Sequence, residues 1–219
     1  MKNLLLICAL SIGTWLPAQI DFRNTRFGII AGPNVSQILY AHNSSGPRYS
    51  FFTGVLGLIS IDNNDSFYFQ PEVLYVSSGE NGDRKYENRK GLPHATYASN
   101  YVSVPINFKA YYSSDESEFF AFVGPRFDFL ISQKTTNSSR EAYEISSYGK
   151  ASSFNLNLGF GVGYSYKRQL ELFAKYDFGI SNVLPVLKNS PGELSTQDPN
   201  VLKKKSQQVF SVGLSYILE

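Results

Sequence analysis

Residues 154–166 read FNLNLGFGVGYSY. Two readings compete for the glycines at 159, 161 and 163. A glycine-rich turn between a strand and a helix cradles phosphate and marks a nucleotide site. A strand instead places every second residue on the same face. Here Phe154, Leu156, Leu158, Phe160, Val162, Tyr164 and Tyr166 share one face. Asn155, Asn157, Gly159, Gly161, Gly163 and Ser165 share the other. Alternation over this length predicts a strand, and no helical period follows Gly163.

The same period of two recurs along the chain. Leu170, Leu172, Ala174, Tyr176, Phe178 and Ile180 oppose Glu171, Lys175, Asp177 and Gly179, with Phe173 out of phase. Phe210, Val212, Leu214, Tyr216 and Leu218 oppose Ser211, Gly213 and Ser215. Phe120 and Phe122 interrupt an otherwise polar face in 118–133, and 49–61 is apolar on both faces, so its register stays open. The pattern predicts eight strands, at about 26–37, 49–61, 66–78, 97–112, 118–133, 152–166, 169–182 and 207–218. Connectors alternate between short ones (62–65, 113–117, around Lys167–Arg168) and long ones (38–48, 79–96, 134–151, 183–206). That is the hairpin order of an all-β, eight-stranded antiparallel up-and-down transmembrane barrel, with short turns toward the periplasm and long loops outside. Lys167–Arg168 is neither Asn-Gly nor Gly-X, so that loop is expected to be a residue or two wider than the tightest hairpin.

The polar face decides between a soluble and a membrane barrel. It is built from Gly, Ser and Asn with few charges, whereas a sheet face in water normally carries many Lys and Glu. Only 17% of the chain is charged, against about 25% in an average soluble domain. Tyr111, Tyr112, Tyr164, Tyr166 and Tyr216 gather at the strand ends on the short-turn side, as tyrosines do at a bilayer interface. The apolar face is therefore expected to meet lipid.

The first residues, MKNLLLICALSIGTWLPA, combine Lys2, a short apolar stretch and a small residue before Gln19. They read as a signal peptide over 1–18, leaving 19–219 as the barrel domain. The single cysteine, Cys8, falls inside it.

Several segments resemble the PorT-like outer-membrane β-barrel family: RFGIIAGPNVSQI, FYFQPEVLYVSSGE, NYVSVPINFKAYY, FFAFVGPRFDFLIS, GFGVGYSY, FAKYDFGISNV and VFSVGLSYIL. Together they cover about 26–218 in family order. The resemblance implies an eight-stranded barrel in the outer membrane of a Gram-negative cell. One member acts in type IX protein secretion.

The alternation assigns Glu72, Lys109, Arg126, Asp128, Glu171, Lys175 and Asp177 to the lumen. Charges removed from water must pair, so these are expected to form an ion-pair plug, with Gly159, Gly161 and Gly163 leaving room for long neighbours such as Lys109 or Arg126. Lys203, Lys204 and Lys205 are candidates for contact with lipid phosphates, since Lys and Arg outnumber acids in the long connectors. His42 and His94 lie in different loops without metal-site spacing. No catalytic set, cofactor or metal is expected, and a net charge of +2 gives no case for nucleic acid. The expected role is structural or interaction-based, through the long loops. The expected partners are outer-membrane lipid and either lipopolysaccharide or another envelope protein. The alternatives are a type IX-like secretion accessory, a narrow channel or small-solute transporter, and a secreted lipocalin-like carrier.

Overall fold

The computed structural model describes residues 25–41, 45–62, 64–113, 115–137, 149–189 and 203–218. The predicted signal peptide, most of the 134–151 connector and His42 lie outside them. The chain forms β1 (Arg26–Leu39), β2 (Ser45–Ser60), β3 (Phe67–Gly82), helix α1 (Arg84–Lys90), β4 (Thr96–Tyr111), β5 (Glu118–Thr136), β6 (Phe154–Tyr166), β7 (Leu170–Gly179), a 3₁₀ turn (Val186–Asn189) and β8 (Ser206–Leu218). Neighbouring strands pair in sequence order, and β1 pairs antiparallel with β8, closing the barrel.

Closure removes both sheet edges, which is the condition for crossing lipid with strands. The outward face is the apolar one. Phe160 is 54% exposed and Val162 62%, while Gly161 between them is buried. Among the described residues, no Asp, Glu, Lys or Arg occupies an outward position from Phe27 to Val35 on β1, from Phe67 to Tyr75 on β3 or from Phe154 to Tyr164 on β6. The β3 stretch matches the roughly 9–11 tilted residues that cross a bilayer. This outward face excludes the lipocalin-like arrangement.

β2 has a defined register: Leu56 pairs with Gly28 on β1 and Glu72 on β3. Phe52, Leu56 and Leu58 point inward while Phe51 and Val55 face out. Both faces are apolar because the lumen itself has an apolar layer.

The Gly32–Pro33 and Gly124–Pro125 pairs interrupt the β1–β8 and β4–β5 ladders. Pro33 and Pro125 lack the N–H that a central strand uses. Beside each, the preceding glycine lets a neighbouring carbonyl approach closely. A Cβ on Gly32 would lie 2.1 Å from the Val212 carbonyl, and one on Gly124 would lie 1.9 Å from that of Ile106.

Two connectors differ from the expectation and a third matches it. The β1–β2 link is short, because both strands run on into 38–48. The 79–96 connector is mostly strand plus α1, a helix too short to show a period. Asp83 caps its start by accepting from the N–H groups of Lys85 and Tyr86, and Gly91 ends it with a left-handed φ of 63°. The β6–β7 loop spans three residues, wider than the tightest hairpin, as expected. Lys167 and Arg168 have φ of 53° and 55°, a conformation that costs L-residues about 1–2 kcal/mol each.

Candidate functional site

The inward faces of all eight strands meet in a filled lumen. Toward the end with the short turns, β4 and β7 face each other across it. Lys109 Nζ lies 2.5 Å from Glu171 Oε1. The hydroxyl of Tyr111 donates to the same oxygen at 2.6 Å, and Ser215 donates to Oε2 at 2.9 Å. Lys109 Nζ also sits 4.0 Å from the ring centre of Phe120, a cation–π contact that strengthens once desolvated. Burying an ion costs several kcal/mol, which a single contact does not offset. Here each charge has several partners.

A second cluster lies nearer the long loops. Arg126 forks between Asp177 (2.6 Å) and Asp128 (2.8 Å). Asp128 also accepts from Ser103 at 2.5 Å and Asn157 at 2.8 Å. Lys175 stands 3.4 Å from Asp177. Glu72 is held differently: the side-chain amides of Gln70 and Asn107, each at 2.7 Å, donate to its Oε1.

All seven charged residues assigned to the lumen from sequence are buried there. They form two ion-pair clusters and one amide-held carboxylate rather than a single plug. Between and below them lies an apolar layer the sequence pattern marked only as exceptions. Phe52 and Phe122 pack on Phe173 with ring centres 6.2 and 5.9 Å apart, and Phe120 packs on Phe122 at 6.1 Å. One lumenal cavity measures about 20 Å³ and is bordered by Glu72, Arg126, Glu171 and Lys175. That is room for about one water molecule.

The glycines of β6 make space, but for nearer neighbours than expected. A Cβ on Gly159 would meet Asp177 and Lys175 at 2.4 and 2.8 Å. On Gly161 and Gly163 it would meet the rings of Phe122 and Phe120, each at 2.4 Å. The nearest side chains at these positions come from the adjacent strands β5 and β7 and are not those of Lys109 or Arg126.

The turn end is tied by a residue that sequence reasoning placed only in a hairpin turn. Arg168 donates to the backbone carbonyls of Asp65 (2.7 Å), Ser113 (3.1 Å) and Asp115 (3.2 Å). It pairs with Glu118 and lies 4.1 Å from the ring centre of Tyr111. One guanidinium thus joins all three short turns, and Tyr111 continues the chain of contacts to Glu171. The planar, five-donor fork makes this possible where a lysine would make fewer contacts. Glu118 is the buried first residue of β5.

At the loop end, Ile38, Ala41, Ala151, Val183, Leu184 and Leu187 form a second apolar cluster. The Ser152 N–H donates to Val183, whose own N–H donates to Lys205, both at 2.9 Å. This corrects the reading of Lys203, Lys204 and Lys205 as one phosphate-facing run. Lys205 is buried, with its ammonium 2.8 Å from the Lys203 carbonyl. Lys204 donates to the Ile180 carbonyl at 2.7 Å, and Lys203 lies over the Tyr40 ring. Loop packing recruits the lysines.

The family model described as outer membrane protein beta-barrel domain matches residues 17–184. No curated protein matches the sequence. Similar solved structures include Neisserial surface protein A (13% identity, 88% of this chain and 96% of that chain, TM-score 0.44). Ail of Yersinia pestis, in complex with the heparin analogue sucrose octasulfate, shares 8% identity over 89% of this chain and 99% of that chain, with a TM-score of 0.45. OprG from Pseudomonas aeruginosa shares 10% identity over 89% of this chain and 96% of that chain, with a TM-score of 0.42.

Proposed function

The chain belongs to the outer membrane protein beta-barrel domain family, and on that premise we propose that it is a closed scaffold of the outer membrane whose working surface is its loop end. The observation that carries this reading is the filled lumen. Among the described residues two ion-pair clusters and a phenylalanine layer fill the lumen around a cavity of about 20 Å³, which favours a scaffold over a conduit, and Arg168 fastens the turn end. What remains for contact are loops on a rigid scaffold. Lipid surrounds the apolar belt, and lipopolysaccharide or another envelope protein is the partner at the loop end. The reading assigns no catalysis. The purified barrel in a planar bilayer tests it: no channel current is expected, and a steady, reproducible one would refute the closed lumen in favour of a narrow channel.

Within the family, the order of the segments around Gln70–Tyr75, Pro105 and Gly124–Pro125 supports a finer placement among PorT-like barrels. Loss of cargo export in a deletion strain would favour a type IX-like accessory role over a purely structural one.

A further inference from the structure

Helix α1 carries RKYENRK, with four cations and one acid. On a surface helix, an acid three places from Arg84 and from Lys90 would normally offset them. Here it cannot. Glu87 is 3% exposed, and one of its oxygens accepts the Ala95 N–H at 3.0 Å while the other meets His94 Nδ1 at 2.9 Å. Gly82 makes room for this inward carboxylate, since a Cβ there would lie 1.9 Å from Glu87 Oε1. The nearest other acid, Asp83, is engaged as the helix cap. Arg84, Lys85, Arg89 and Lys90 are all exposed, and none forms an ion pair among the described residues. The fold has withdrawn the negative charge and fixed four positive ones on a capped helix.

The height of the helix selects the partner. On β3 the lipid-facing stretch ends at Tyr75. On the adjacent β2, exposed Phe51 lies higher, level with Ser77, and from there to the end of β3 at Gly82, at about 3.3 Å per residue and a tilt near 40°, the chain climbs roughly 13 Å. The head-group layer is only about 5–8 Å thick. We propose that α1 is a docking surface for an extended polyanionic glycan, sulfated or phosphorylated, standing above the membrane. This deepens the reading of the loop end as the working surface and rests on it.

The test uses the full barrel in nanodiscs, with heparin as a sulfated-glycan probe and, separately, phosphatidylglycerol vesicles. Heparin is expected to bind at low salt and to be released as salt rises, because exposed charges are screened. A cation near an anionic surface contributes about a fivefold effect. R84Q/K85Q/R89Q/K90Q should therefore weaken binding by at least tenfold, while Lys167→Gln at the opposite end leaves it unchanged. Heat-modifiable gel mobility verifies that each variant folds. If the quadruple variant does not fold, the double variants R84Q/K85Q and R89Q/K90Q decide. Absent heparin binding by the wild type, or undiminished binding by the folded variants, overturns the proposal. Capture of vesicles in place of heparin, lost in the variants, overturns it in favour of a membrane contact. A channel current would refute the closed scaffold while leaving a glycan result intact, so the two failures are distinguishable.

Discussion

Arg168→Ala is the sharpest perturbation the structure offers. The substitution removes three bonds to backbone carbonyls and the partner of Glu118. The carbonyls sit at turns and regain water. Glu118 does not, because its side chain is 3% exposed and that of Arg168 only 12%. Breaking a buried pair by removing one partner costs about 3–5 kcal/mol. The Ser113 backbone N–H and hydroxyl still donate to Glu118, which points to the low end, about 3 kcal/mol. Alanine inherits the left-handed backbone, so no strain is relieved. In a domain of this size each kcal/mol moves Tm by about 2–4 °C, giving a fall of roughly 6–12 °C. The only tryptophan, Trp15, lies in the predicted signal segment, so heat-modifiable gel mobility against temperature is the practical assay. Arg168→Lys should fall between the two, keeping the charge but not the fork. An R168A variant that melts with the wild type would refute the idea that the turn end is fastened.

The remaining predictions probe the lumen and the belt. Gly161→Leu should hinder folding or cost about 1–3 kcal/mol by overpacking, since its Cβ would fall 2.7 Å from the Ala174 carbonyl, which cannot move; normal heat stability would mean the glycine face is not inside. Lys109→Met should destabilise by about 3 kcal/mol without opening a conducting path, and adding Glu171→Gln should recover much of the loss in a double-mutant cycle. Phe160→Arg should cost about 2–4 kcal/mol if that position lies near the bilayer midplane, measured by urea titration in lipid vesicles; a neutral result would place the position out of lipid.

Most of the architecture was legible because lipid and lumen demand opposite chemistry from alternate residues. β6 and β7 state that demand plainly, and the charged residues of β7, Glu171, Lys175 and Asp177, are all buried in the lumen. The signal failed where the lumen is itself apolar. Phe120, Phe122 and Phe173 read as noise on a polar face, yet they form its aromatic layer, and β2 lost its register for the same reason. It failed again where a residue acts through reach rather than phase. Nothing in the Lys167–Arg168 dipeptide says that one guanidinium will span three turns. The lysines at 203–205 looked alike in sequence because only loop packing separates them. Helix α1 had its signals in Asp83 and Gly91, but seven residues are too few for a period.

Some contacts across the lumen and between the turns join points far apart along the chain. Lys109 and Glu171 are 62 positions apart, and Arg168 and Asp65 are 103. Such contacts form only after the ring has shut, so they do little to speed closure. Interactions absent from the folding transition state act on the unfolding rate instead. The charged interior is therefore a device for persistence: it lengthens the lifetime of a barrel once inserted, and its removal should register first as faster escape from the native state.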